Sequence, residues 1–593
     1  MGAGLIWNTR AAAGADAYGY VSQADLWLRG DLHIDQRFGE SVPWPLARWT
    51  FTPLGYRPEP DGYRIVPQFS PGLPLLMAGF KAIAGQCAMF WVVPICGGVL
   101  VFATYGIGRR IGRPLVGMAA AWIVATSPAM LFMLMAPMSD VPAAAAWAVA
   151  VACALGETPL AASGAGIAAA LAILIRPNLA PIAGILFVWI AWRDRTSPWR
   201  RASELVNKYD VERRTRRTRR KTLSTLLCGF RGFCVVRDFF TRSSALRAKR
   251  RWRDVRSGPT QGLPTRRLTT PWFVMPTAAG VIAVAVINAR LYGSPLASGY
   301  DLTDGFLLSY VVPNVRRYIW WLVSAETPFA LAGLACLAIP SARIWRTGTS
   351  REALFLFGGV TAVVWISYLL YVPWDAWWYL RFLLPTWPMM ALGTASLAAA
   401  VYRSPSPVLR GAAVAVLAAI GASGVTQAAK RETFSVARGE AKYVEVAKAV
   451  ESLTGPDDVI ISAQHSGSIR YYAGRLTLRW DVGDPAWFDR TVEWLTAHGH
   501  HPYFVLEPQE VDQLRVRYGP ANASARLDWT PMVSFRGGAI VMYDGVRRDR
   551  EGATVSQVPA RVSYECPLQK PAPRLREVPV VSGFSQTVQG DRR

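Results

Sequence analysis

"GADAYGYVSQADLWLRGDL", Gly14 to Leu32, is acidic and aromatic, and it stands ahead of a chain that is otherwise largely apolar. The 593 residues are 52% hydrophobic and include 24 tryptophans, with a mean hydropathy of +0.19. An ordinary soluble enzyme is less apolar and less aromatic. The stretch therefore reads as an extramembrane loop leading into a polytopic membrane protein. Asp16, in its Gly/Ala/Tyr surroundings, has no obvious helix to cap and needs another explanation.

Working outward, apolar runs long enough, or nearly so, to cross a hydrocarbon core of ~30 Å occur at about 88–107, 113–135, 141–156, 162–175, 178–192, 272–290, 319–340, 353–372, 383–401 and 411–428. These ten spans make an α-helical polytopic core at 88–429, behind a first loop with amphipathic helices at 1–87. The fourth and fifth are short and joined by "IRPNLAP", so they read either as two spans or as a broken, re-entrant pair lining a cavity.

Lys and Arg gather beside the span ends at "GRRIGRP", in the block 193–270, at "SARIWRTGTSR" and at "YRSPSPVLR", which puts those segments on the cytoplasmic side. Residues 1–87, "APMSD", Arg176, the loop "RLYGSPLASGYDLTDGF", "VPWDAWWYLR" and everything after residue 429 then lie outside. A translocated first segment of about 85 residues needs a signal or a preceding span, and "MGAGLIWN" supplies neither. The expectation is a first helix that this chain lacks, giving eleven spans in all. The inferred location is the inner (plasma) membrane, multi-pass.

Between Arg193 and Arg267 there are 23 Lys/Arg against 6 Asp/Glu, so most of the net charge of +25 lies in one segment. A local run of this kind between apolar segments fits a basic cytoplasmic loop, or an insertion within the core, rather than a nucleic-acid groove. The seven cysteines contain no CxxC pair and several sit in apolar runs, so neither a disulfide framework nor a thiolate metal site is indicated. "HGHH" (His498, His500, His501) reads as a helix end and a turn before the strand "PYFVLEP", without the carboxylate of a usual ligand spacing. From 430 to 548 the pattern alternates helical and strand periods, as in "AKYVEVAKAVESL", "DDVIISA" and "AIVMYDG", and predicts a small extracytoplasmic α/β domain. The tail 549–593 shows no periodicity and is expected to be disordered.

Ionisable residues at membrane depth or at span ends are costly and are functional candidates by default. Asp16, Asp140 (with Ser139 at the head of "DVPAAAAW"), Arg176 and Arg381 all fall on the outer side, as a single interfacial site requires. A lipid-linked phosphate needs cations, and arginine offers a planar fork that fits phosphate oxygens; Arg381, Arg176 and Arg290 are placed to supply it. An acceptor hydroxyl or amine needs a base, and a partly dehydrated carboxylate serves; Asp16 leads and Asp140 follows. Tyr18, Tyr300, Trp377 and Trp378 are the candidate acceptor or sugar contacts, against the plainer reading of the tryptophans as an interfacial belt. Asp140 before Val-Pro also fits a helix N-cap, and both arginines fit snorkelling anchors.

In their order along the chain, "DAYGYVSQADLWLRGDL", "FSPGLPLLMAGF" (Phe69–Phe80), "APMSDVPAAAAW", "IRPNLAP", "ARLYGSPLASGY" (Ala289–Tyr300) and "WWYLRFLLPTWPMMAL" (Trp377–Leu392) resemble the integral-membrane glycosyltransferases of the GT-C superfold. The likeness is to the branch with bacterial aminoarabinose transferases and protein O-mannosyltransferases, and it covers about residues 14–430. The resemblance implies transfer of a sugar, with inversion, from a polyprenyl-phosphate donor to a lipid, glycan or protein acceptor of the cell envelope. It implies Asp16 as base or acceptor-orienting residue, Asp140 as the second acid, and Arg381 as the residue that closes on the donor phosphate. Many relatives carry an Asp-Glu pair in the first loop, whereas here Ala17 follows Asp16. A divalent metal stays possible, but no metal ligand is assigned. The alternative function is a transporter or flippase of lipid-linked sugars; transporters commonly carry internal repeats, and none is visible between the two halves. A third reading, a membrane-anchored binding protein, is weakened by the lack of a catalytic constellation in 430–548.

Overall fold

The computed structural model describes residues 1–196, 268–300, 305–547, 556–558 and 566–570. Most of the basic block, the tetrapeptide 301–304 and most of the tail lie outside the described residues. Within them the molecule is a bundle of apolar helices carrying an α/β unit made from the C-terminal part of the chain. Among the described residues five helices are long and apolar enough to cross a membrane: Gln86–Arg110, Thr270–Tyr292, Gly348–Leu369, Trp377–Tyr402 and Pro407–Lys430. Shorter apolar helices, among them Pro114–Thr126, Asp140–Ala154, Pro159–Ile175 and Pro328–Ala338, fill the bundle between them, with a further helix at 181–196.

Two of the expected spans are interrupted. The run 113–135 divides at Ser127-Pro128, where the serine hydroxyl caps the new helix Pro128–Met133 by accepting from the Met130 N–H. The run 319–340 is three pieces, Val311–Trp321, a π turn Leu322–Glu326 and Pro328–Ala338. In both cases proline cannot continue the preceding helix and disfavours α geometry in the residue before it, so it starts a new helix at its first position.

Small residues let the helices approach closely, as is common where lipid replaces water. A Cβ on Gly108 would lie 2.3 Å from the Cα of Gly117, and one on Gly393 would lie 2.2 Å from the carbonyl oxygen of Gly333.

The opening stretch is helical. Asp16–Arg29 is a helix of 14 residues, closed by Gly30 in the left-handed conformation at φ 79°. Asp16 sits in its first turn, where a carboxylate is favoured by the helix dipole. Ten of its residues, Ala17 to Leu26, are buried, so polar and apolar positions alike are enclosed and no single apolar stripe marks the helix.

After it comes a small sheet, β1 (Ile34–Asp35), β2 (Tyr56–Pro58) and β3 (Arg64–Pro67), in the order β1-β3-β2. The C-terminal unit is a six-stranded sheet of β4 (Val459–Ile461), β5 (Leu476–Leu478), β6 (Pro502–Leu506), β7 (Val533–Phe535), β8 (Ile540–Asp544) and β9 (Ser556–Val558), in the order β5-β4-β6-β8-β7-β9. β5, β4 and β6 are mutually parallel, while β8 runs antiparallel to both β6 and β7.

Two expectations are corrected here. The tail is not structureless throughout, since β9 pairs in parallel with β7. The cysteines do include a bridge: Cys87 and Cys566 form a disulfide across 479 residues, tying the start of the first long apolar helix to the C-terminal part of the chain.

Candidate functional site

Four ionisable residues from separate segments meet where the apolar helices end. Asp16 comes from the first turn of Asp16–Arg29, Asp140 from the first turn of Asp140–Ala154, Arg176 from the cap after Pro159–Ile175, and Arg381 from the 3-10 segment Trp377–Thr386. Their charges alternate along a chain of contacts. Asp16 Oδ2 lies 3.6 Å from Arg381 Nη1, Arg381 Nε lies 3.8 Å from Asp140 Oδ1, and Arg176 Nη2 donates to that same oxygen at 2.7 Å.

Local geometry explains each placement. Pro177 ends the helix at Ile175, and the extended backbone of Arg176, φ −142° and ψ 88°, swings its guanidinium back over the start of the next-door helix. There Nε donates to Ser139 Oγ at 3.0 Å and Nη1 to the Tyr368 hydroxyl at 3.1 Å. Asn178 Nδ2 reaches the same hydroxyl at 3.0 Å. The Tyr368 ring stacks on Phe382 at 4.8 Å, and Phe382 faces both guanidiniums, 5.8 Å from Arg176 and 5.2 Å from Arg381. Both arginines are thus held as planar groups against aromatic faces, which a lysine would not reproduce.

The exposure is graded. The Asp140 side chain is 0% exposed, those of Arg176 and Arg381 14%, and that of Asp16 37%. Asp140 Oδ2 and Arg381 Nε have no hydrogen-bond partner. Ser139 occupies the N-cap without a side-chain cap bond, and Asp140 is the first helical residue with its carboxylate turned to the arginines, so the plain capping reading of Asp140 does not apply.

The remaining candidates divide. Tyr18 points away from the network: it is 3% exposed, with ring centroids 5.6 Å from Tyr56 and 6.4 Å from Tyr471, and Gly467 packs directly on it. Enclosed in this seam, it cannot present its face to a sugar, which corrects its assignment. Tyr20 faces the site instead, donating to Ser139 Oγ at 2.9 Å. The helical repeat carries this signal, since residues four apart share a face and Asp16 and Tyr20 are four apart.

Gln23, on the same face and fully buried, has both amide atoms unpartnered. Tyr300 is exposed and packs against Phe69, which packs in turn on Tyr20. Trp377 and Trp378 gather around Phe132 at 5.1 and 6.0 Å. Arg290 lies exposed in the last turn of Thr270–Tyr292; among the described residues it makes no hydrogen bond or ion pair with the network, so the structure does not bring it to the other two arginines.

The three histidines go separate ways. His498 stacks on Trp494 at 3.9 Å, His500 Nδ1 lies 2.9 Å from the Asp457 carbonyl oxygen, and His501 Nε2 lies 2.6 Å from Asp544 Oδ1. Among the described residues no group of three or more His, Cys, Asp or Glu side chains is placed to hold a metal ion.

No family model matches the chain, and no curated protein does. Among solved structures the chain is similar to ArnT from Cupriavidus metallidurans, in the apo state and bound to undecaprenyl phosphate. The identities are 11% and 12%, each with a TM-score of 0.49 and with 92% of this chain and 96% of that one covered. It is also similar to the apo oligosaccharyltransferase of Archaeoglobus fulgidus, at 13% identity and a TM-score of 0.46, over 90% of this chain and 71% of that one.

Proposed function

We propose that this chain is a membrane glycosyltransferase that moves a sugar from a polyprenyl-phosphate donor to an extracytoplasmic lipid, glycan or protein acceptor. The observation that carries the reading is the alternating chain Asp16, Arg381, Asp140, Arg176 at the ends of apolar helices. A donor that arrives in the bilayer with an anionic phosphate meets two guanidinium forks there, and the acceptor meets one partly exposed carboxylate.

Arg381 is the residue the phosphate engages. It is held only loosely, at 3.6 Å from Asp16 and 3.8 Å from Asp140, so phosphate oxygens can take the place of the Asp16 carboxylate. Asp16, released, accepts the proton of the acceptor hydroxyl or amine as that atom forms its bond to the anomeric carbon. The bond from the anomeric carbon to the phosphate oxygen breaks on the opposite face, which inverts the centre, and polyprenyl phosphate leaves with its added charge on Arg381 and Arg176. Asp140 has no exposed surface and acts as the fixed anion that keeps both guanidiniums in register. Tyr20 and Ser139 fix Arg176 from the other side.

The test is release of polyprenyl phosphate from a labelled polyprenyl-phosphate sugar by purified protein. Asp16→Asn is expected to lower release by about a hundred- to ten-thousandfold while the protein still inserts and folds. Full release by that variant would overturn Asp16 as base. Movement of labelled donor across vesicles without any release would replace transfer with transport.

A further inference from the structure

Glu326 lies outside the network and the transfer chemistry does not use it. It ends the π turn between Val311–Trp321 and Pro328–Ala338, inside the apolar bundle, where a carboxylate is costly. One oxygen is satisfied: Oε1 accepts from Ser127 Oγ at 2.8 Å and from the Ala129 N–H at 2.9 Å. Ser127 is held in turn by the Trp387 indole N–H, which donates to its Oγ at 2.8 Å.

Glu326 also lines a partly open cleft with walls that are mainly apolar, among them Ile123, Phe329, Met390 and Ile420. Among the described residues no cation forms an ion pair with it. The guanidinium of Arg431, at the end of Pro407–Lys430, donates instead to the Ser324 carbonyl oxygen at 3.1 Å and lies 4.7 Å from the Trp377 ring, leaving its Nε unpartnered.

A carboxylate in an apolar cleft selects a donor, and a cation before a neutral one. Arg431 stands two residues from Glu326 by way of Ser324, at the helix end that leads into the C-terminal unit. The pair therefore offers an acid for an ammonium and, beside it, a guanidinium for a phosphate, above walls suited to a hydrocarbon chain. We infer that this cleft is a binding site for an aminophospholipid of the phosphatidylethanolamine type, with its ammonium on Glu326, its phosphate toward Arg431 and one acyl chain along Ile123, Phe329 and Ile420. A polyprenyl phosphate brings an anion and no donor to Glu326, so charge complementarity separates this site from the donor site.

The experiment is native mass spectrometry of delipidated full-length protein titrated with dioleoyl phosphatidylethanolamine, phosphatidylcholine or phosphatidylglycerol. The wild type is expected to retain one phosphatidylethanolamine in preference to the other two by about tenfold, the equivalent of one charge-assisted hydrogen bond. Glu326→Gln removes that preference. Ala330→Phe, which keeps the carboxylate and narrows the cleft, lowers retention of all three lipids. Equal retention of the three lipids by the wild type would reduce the cleft to an apolar groove and overturn the inference. Displacement of phosphatidylethanolamine by equimolar undecaprenyl phosphate would overturn it as well.

Discussion

The two sides of the helix Asp16–Arg29 are built from the same kinds of residue and do opposite work. On one side Asp16, Tyr20, Gln23 and Trp27 follow the helical repeat, and the first two reach Arg381 and Ser139. On the other side Tyr18, Ser22, Asp25 and Arg29 follow the same repeat, displaced by two residues. There Tyr18 packs against Tyr471, the Ser22 and Tyr56 hydroxyls are hydrogen-bonded, Asp25 Oδ2 accepts from the Tyr471 hydroxyl at 2.7 Å while Oδ1 pairs with Lys81, and Arg29 donates to Gln569 at 2.6 Å. One face carries the contacts to Arg381 and Ser139 and the other fastens the C-terminal unit. A helix with polar residues all round is enclosed here with most of its polar groups partnered, Gln23 being an exception. Identity of side chain is thus a poor guide to role in this helix, and position in the repeat is a good one.

The largest effect that separates the two faces is expected from Asp16→Asn, which loses a general base and with it about a hundred- to ten-thousandfold in transfer rate, read as polyprenyl phosphate released per folded molecule. Next is Asp140→Asn, which leaves Arg176 and Arg381 without their fixed anion; breaking a buried pair costs about 3–5 kcal/mol, visible as a lower unfolding temperature together with lost activity. On the far face Asp25→Asn is expected to lower stability by about 2 kcal/mol, since buried groups on Lys81 and Tyr471 lose a charged partner, while transfer per folded molecule holds. If that variant instead lost transfer without loss of stability, the division between the faces would fail. Smaller again is Tyr20→Phe, which removes one hydrogen bond to Ser139, worth about 1 kcal/mol, and slows transfer several-fold with little change in unfolding.

A separate effect concerns the C-terminal unit alone. Burial raises the Glu440 carboxyl to about 7, with Lys442 opposing and Glu507 reinforcing the shift. Burial would also raise Glu507, but the neighbouring His465 ring and the hydrogen-bonded Lys442 ammonium hold it down at about 2. Glu440 keeps its proton in the folded state at pH values where the unfolded chain, with an ordinary value of 4.5, has lost it. The folded state therefore binds more protons, and stability falls as pH rises from about 4.5 to about 7. Glu507 acts in the other sense, and its contribution is lost as pH falls from 4.5 toward 2. Glu440→Gln is expected to flatten the decline between pH 5 and pH 7, measured as unfolding temperature against pH (about two pH units).

The order and rough extent of the apolar helices were legible because hydropathy is a local property, summed over some twenty residues. Their interruptions were not, because Pro128 and Pro328 lie inside runs whose average stays apolar. The convergence of Asp16, Asp140, Arg176 and Arg381 was legible as a shared side of the membrane, since charge asymmetry between loops sets that side. Which aromatic accompanies them was missed by taking Tyr18, two residues from Asp16, over Tyr20, four residues from it. The helix itself was hidden by its two polar faces, which blur the single apolar stripe that periodicity detects. Glu326 escaped notice inside a predicted span, and the bond between Cys87 and Cys566 joins residues too far apart for spacing to pair them.

That bond can close only after everything between its ends has been made and placed. Cys87 lies in the first turn of the first long apolar helix, and Cys566 follows the last strand of the C-terminal sheet and all the intervening helices. The two thiols meet only if each helix has inserted in the right sense and the C-terminal unit has emerged in the same compartment as Cys87, one oxidising enough to join them. The ratio of bridged to free thiol in a membrane preparation is thus a chemical tally of chains that completed their topology, readable on a non-reducing gel without any assay of transfer.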